Sequence, residues 1–166
     1  MRKAIGLAAV LLALVLNACG GDGIGSSQPP AVGAAFASKA VAVCEAALAQ
    51  KKAQAPFPYP DFNPTQPDTS KFQEIAPFLA ETAVTFKTWL REMQALGEPP
   101  TAQAAWDDLV TAVESHVRIA IEQQAAAESG DIPTFIKDYE EGSAVQDELL
   151  RAADAAGVPE CAAVDR

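Results

Sequence analysis

Proline and glycine decide where this chain can be helical. Pro56, Pro58, Pro60, Pro64 and Pro67 crowd into residues 54–69, QAPFPYPDFNPTQPDT. Each lacks a backbone donor and biases its predecessor to extended geometry, so the stretch is a connection rather than a helix. Gly97 before Pro99 and Pro100, Ser129-Gly130, and Gly157-Val158-Pro159 are further stop signals. Between these breaks lie four segments whose apolar residues recur at three- and four-residue steps, the period of a helix with one buried face.

The first segment, Ala34 to about Ala53, carries Phe36, Ala40, Val43, Cys44, Ala47 and Leu48 on one face and Lys39, Glu45 and Lys51 on the other. The second opens with Ser70 as N-cap and Gln73 in capping-box spacing. Its stripe is Phe72, Ile75, Leu79, Ala83, Phe86, Trp89 or Leu90, Met93 and Leu96, and Pro77 is expected to kink it or delay its start. A third segment, starting near Thr101 or Ala102, buries Trp106, Leu109, Val110, Val113, Val117, Ala120 and Ile121. The fourth has Asp131 as N-cap, Pro133 in its first turn, and Phe135, Ile136, Tyr139, Val145, Leu149, Ala152, Ala153 and Ala156 inward. Gly142 weakens that helix by up to ~1 kcal/mol and lets a neighbour approach.

With no strand pattern, the fold class is all-α: a four-helix bundle with a long Pro-rich loop between helices 1 and 2. The later three helices, about 25 residues and ~38 Å each, are joined by short turns and should be antiparallel neighbours. The direction of helix 1 depends on whether the Pro-rich loop turns or crosses.

The first residues read as an address. Arg2 and Lys3 precede an apolar run, Ala4 to Leu16, that fits a signal-peptide core and is short of the ~20 residues that span a bilayer. Leu16-Asn17-Ala18-Cys19 resembles the bacterial lipoprotein signal, the lipobox L-x-[A/G]-C. That resemblance implies cleavage before Cys19 and acyl chains, such as palmitate, on its sulfur. The expected division is therefore signal peptide 1–18, flexible Gly/Ser/Pro tether 19–33 and helical domain 34–166. The tether reaches roughly 20 Å, enough to hold the domain just off the extracytoplasmic face of a cell membrane. Cleavage removes two cations and no acid, so the formal charge of −10 becomes −12. Such a surface repels nucleic acid and anionic head groups, leaving the acyl chains to hold the membrane.

With Cys19 committed to lipid, Cys44 and Cys161 are the only other cysteines. Both lie on the exported side, where disulfides persist, and they are paired on that ground. The bond would close a loop of over 100 residues, worth up to about 4.7 kcal/mol in the chain-entropy model. A two-thiol metal or redox site competes weakly, having no C-x-x-C spacing and no nearby His. The order of tether, helix with a Cys, Pro-rich loop, helix ending in G-E-P-P, helix ending in S-G-D, helix, then G-V-P-E-C resembles small uncharacterised helical proteins, secreted or lipid-anchored, of actinobacteria. This resemblance implies a fold and no activity.

Chemistry is harder to find. His116, the one histidine, falls at the edge of the third helix's stripe, where a hydrogen-bonded boundary residue is the ordinary reading. Catalysis would need a nucleophile and an orienting carboxylate, and Glu114 points to another side of the helix. No Glu stands three before His116, as a di-iron bundle requires, so neither metal nor cofactor is expected. Phe57, Tyr59 and Phe62 in the Pro-rich loop read either as a strap plugging a thin core or as a pre-organised aromatic binding surface. These features lead to the expectation of a non-enzymatic binding or assembly protein of the cell envelope, with a partner there. The alternative is a carrier of a small apolar ligand or lipid in the bundle core. An enzyme would require a buried polar pocket around His116.

Overall fold

The computed structural model describes residues 32–164; the signal segment, Cys19 and the tether up to residue 31 lie outside the described residues. Four helices follow in order: α1 Ala34–Ala53, α2 Phe72–Ala95, α3 Gln103–Ser129 and α4 Ile132–Ala156. Short 3-10 turns at Thr69–Lys71 and Pro159–Ala163 precede α2 and follow α4. The helices form a four-helix bundle, and no strand occurs among the described residues. Nor is any described helix long and apolar enough to cross a membrane.

The caps explain the boundaries. Asp131 accepts from the backbone N–H of Thr134 at the start of α4, and Gly97, Gly130 and Gly157 end α2, α3 and α4 in the left-handed region, at φ 73°, 73° and 76°. The start of α2 is corrected: Asp68, not Ser70, is the acceptor, taking both the N–H and the Oγ of Ser70 to launch the 3-10 turn. Helix α2 also runs through Pro77, at an exposed position in its second turn.

α3 packs between α2 and α4, while α1 packs against α2 and the C-terminal turn. Phe36, near the start of α1, meets Trp106, near the start of α3, edge to face at 4.8 Å. Gln54, just past the end of α1, bonds Thr85 of α2 through Nε2 at 2.9 Å. α1 therefore runs antiparallel to α2, and the bundle goes up, down, up, down.

Two hydrophobic clusters fill it. The larger includes Val32, Phe36, Cys44, Trp89, Met93, Trp106, Leu109, Leu149 and Cys161, with many alanines among them. Cys44 and Cys161 are disulfide-bonded there, Cα to Cα 4.9 Å across a separation of 117 residues. The smaller cluster, at the opposite end, joins Phe72, Ile75 and Ala76 to Ala126, Ala127 and Phe135. Against it pack Phe57, Tyr59, Phe62 and Leu79.

The inward stripes differ from expectation at two places. Ile121 and Tyr139, expected to be buried, are 38% and 40% exposed, and Ile119 and Asp138 occupy the interior instead. The heptad of α4 is the reason: Phe135, Asp138, Gly142, Val145, Leu149 and Ala152 succeed one another at steps of three and four, and packing follows that spacing rather than side-chain polarity.

Candidate functional site

At 20 residues α1 is about 30 Å long, against about 36–40 Å for the 24 to 27 residues of its neighbours. It covers α2 only as far as Thr82 and Thr85, where Gln54 bonds both hydroxyls. Beyond that point the Pro-rich segment takes over as cover. Phe57 lies edge to face on Phe78 at 5.1 Å and on Phe62 at 5.8 Å, and Phe62 meets Phe135 at 5.9 Å. Lys71 holds its ammonium 4.7 Å over the ring of Tyr59. Asn63 turns the strap by accepting from the N–H and hydroxyl of Thr65. The three aromatics of the loop are thus brought together, each half-buried, as the lid of the smaller cluster.

Between the strap-covered cluster and the disulfide-bonded one lies a cavity of about 360 Å³. All four helices contribute: Lys51 from α1; Phe78, Leu79, Thr82 and Phe86 from α2; His116, Ile119, Ala120 and Gln123 from α3; Asp138, Tyr139, Gly142, Ser143 and Gln146 from α4. Its size falls at the small end of the ~300–1,000 Å³ of typical small-molecule sites, and an apolar lining with a few convergent polar groups is their usual character. Gly142 keeps it open on one side. A Cβ there would meet only Ile119 Cγ2, at 3.7 Å, so a larger residue would extend into the space.

His116 is more deeply placed than a boundary residue: 6% exposed, its Nδ1 3.4 Å from the Ala112 carbonyl and its ring edge to face with Phe86 at 5.9 Å. Asp138 is wholly inaccessible at 0%, the only buried carboxylate among the described residues, and neither of its oxygens accepts a hydrogen bond. Its nearest ionic neighbour is Lys137, with Nζ 3.5 Å from Oδ1 and a side chain 67% exposed. Burial pushes the Asp138 carboxyl above the usual carboxylate range, and the negative charge of Glu122 pushes it the same way. Outside, Arg118 ties Glu122 to Glu141, and Lys137 reaches Glu141 at 3.5 Å, so the rim is a network of exposed ion pairs. The Arg118 guanidinium holds the Glu141 carboxyl below its ordinary value.

A carboxylate shut away without a hydrogen bond is costly, on the order of several kcal/mol when charged. The fold accepts that cost at the wall of a cavity. Chemically the arrangement offers one acceptor-only group at depth, an imidazole and amide groups along the sides, and aromatic and aliphatic faces for a body to lie on. No group of three or more His, Cys, Asp and Glu side chains placed to hold a metal occurs among the described residues. Fold and site together define a disulfide-closed four-helix bundle with an interhelical cavity. No protein-family description, curated protein or solved structure compared with the chain matches it.

The sequence reading missed Asp138, although the signal was present. Counting three from Phe135 and four to Gly142 places Asp138 on the inward stripe, and a charged residue at such a position marks either a paired group or a site.

Proposed function

We propose that this is a lipid-anchored binding protein of the cell envelope that holds a small amphipathic molecule, without chemistry, in the cavity between its four helices. The observation that carries the reading is Asp138: a fully buried carboxylate, free of hydrogen bonds, in the wall of a 360 Å³ space. Its volume suits a small molecule rather than a whole lipid, which narrows the carrier alternative. Binding is favoured over catalysis because Asp138 accepts no hydrogen bond and so does not orient His116, the link on which an activated nucleophile depends. Anchoring rests on the lipobox-like Leu16-Asn17-Ala18-Cys19, and the acidic surface gives the membrane no electrostatic hold of its own.

Cavity occupancy is tested with 2-phenylethanol, a neutral probe with one ring and one hydroxyl, titrated into the protein and followed by protein-observed NMR. Shifts confined to residues of the cavity wall, lost in Gly142→Met, are the expected result. Shifts spread over the surface and insensitive to that substitution would overturn the reading. The anchor is tested by intact mass of the membrane-extracted protein, expected to fit cleavage before Cys19 plus acyl chains.

A further inference from the structure

Resting on the cavity reading, we infer that the ligand is a small organic amine, bound as its cation with the nitrogen at Asp138 and an apolar body against Phe78, Leu79 and Ile119. A carboxylate only accepts, so whatever satisfies Asp138 must bring donors. Its two oxygens, both without hydrogen bonds, can take more than one N–H, and hydrogen bonds to an ionised acceptor are roughly twice as strong as neutral ones. Local charge selects in the same direction. Glu122 and Glu141 both act on Asp138, the Arg118 that pairs them offsets part of their charge, and the chain carries a formal charge of −10. An anion would meet repulsion there, and a neutral donor would gain less.

Two cations oppose this, and their positions set the ligand's orientation. Lys137 stands 3.5 Å from Asp138, but it is solvated and shared with Glu141, so its attraction is screened. Lys51 lies in the opposite wall, its ammonium 5.8 Å from the Phe86 ring centroid, so the carboxylate is on the α4 side of the cavity and this cation on the other. The ligand charge is therefore directed to α4 and its body to α2 and α3.

Access to Asp138 depends on Gly142. Helical side chains lean toward the N-terminus, so any side chain at position 142 would lie back over the turn that carries Asp138. The Asp138 carboxylate itself has no accessible surface, so a ligand nitrogen reaches it only as the side chain turns into the cavity, a movement that glycine at 142 leaves uncrowded, with Ile119 as the neighbour of its missing Cβ.

The test compares 2-phenylethylamine with 2-phenylethanol, the same body with and without the cation, by calorimetry and NMR on the full mature protein at neutral pH. The amine is expected to bind at least tenfold more tightly than the alcohol. Asp138→Asn, whose fold is checked by circular dichroism, should erase that preference. In the unsubstituted protein the Asp138 carboxyl carbon resonance should move with amine and stay still with alcohol, a readout that needs no variant. Equal affinity for both probes, or an amine preference that survives Asp138→Asn, would overturn the amine assignment while the cavity stands. Failure of both probes to perturb the cavity wall would overturn the cavity reading as well.

Discussion

The two ends of the bundle are closed by different means. One is stapled: Cys44 and Cys161 are bonded within a cluster tiled with small residues such as Ala40, Ala112, Ala153 and Ala156. The other is strapped: a proline-laced segment lays Phe57 and Phe62 over Phe72, Phe78 and Phe135. Alanines bury little apolar area each, whereas a buried phenylalanine is worth about 1.5–3 kcal/mol. Both ends use rings, Phe36, Trp89 and Trp106 at the stapled one and Phe72 and Phe135 at the strapped one, and the first adds many alanines and a covalent bond. The cavity sits at the seam between these two solutions, where α1 stops and the strap begins.

The largest effect expected from this contrast is at the staple. Cys44→Ala with Cys161→Ala should lower unfolding free energy by about 2–5 kcal/mol in urea denaturation; a loss no greater than that of trimming the strap would erase the distinction between the ends. At the seam the sign reverses. Asp138→Asn, which removes a buried charge and keeps the shape, should stabilise the protein by about 1–3 kcal/mol. That gain should depend on pH in a definite direction. Because the folded state holds the Asp138 proton more tightly than the unfolded chain does, stability contributed at this position rises as pH falls from the raised value toward the ordinary one near about 4. The advantage of Asp138→Asn in Tm is therefore greatest near neutrality and shrinks on acidification; a constant difference would mean that Asp138 is not desolvated.

At the strap, Phe62→Ala should cost about 1–2 kcal/mol, in keeping with a half-buried ring. Its destabilisation should appear as faster amide exchange around Phe72 and Phe135, with little change near Cys44. Smallest of all, Gly142→Ala should raise stability by about 0.5–1 kcal/mol, since the position is helical and the new methyl meets only an ordinary contact. The same substitution should weaken probe binding, separating what suits the helix from what suits the site.

Four helices, their ends and the staple were legible because each is written locally: a period, a cap, a pair of cysteines with no other partner on offer. The bounds of α1 and the caps Asp131, Gly130 and Gly157 follow directly from such signals. Where two local signals compete, the reading slips. Ser70 and Asp68 both suit a cap, and Asp68 prevails because it can take two donors from Ser70 at once. Ala102, at φ 55°, holds a left-handed conformation uncommon for alanine and so delays α3 to Gln103. Tyr139 and Ile121 read as inward because apolar spacing admits them, whereas the heptad that carries Asp138 inward runs through a polar residue that an apolar stripe does not count. The cavity could not have been read at all, since it arises from a difference in length between α1 and its neighbours, and no stretch of residues records a length difference as a pattern.

The chain enters the bundle at Val32, whose N–H is held by the Ala156 carbonyl at 3.2 Å, with Gly33 turned at φ 86° against Pro100. Its last described residues, through Val164, are buried at that same end. With the proposed anchor at Cys19, a pull on the chain ahead of Val32 would be taken up at the stapled end, by the join of Val32 to α4 and then, through α1, by the bond from Cys44 to the C-terminal turn. If the proposed anchor holds, the domain would be tugged at its foot, at the end away from the strap.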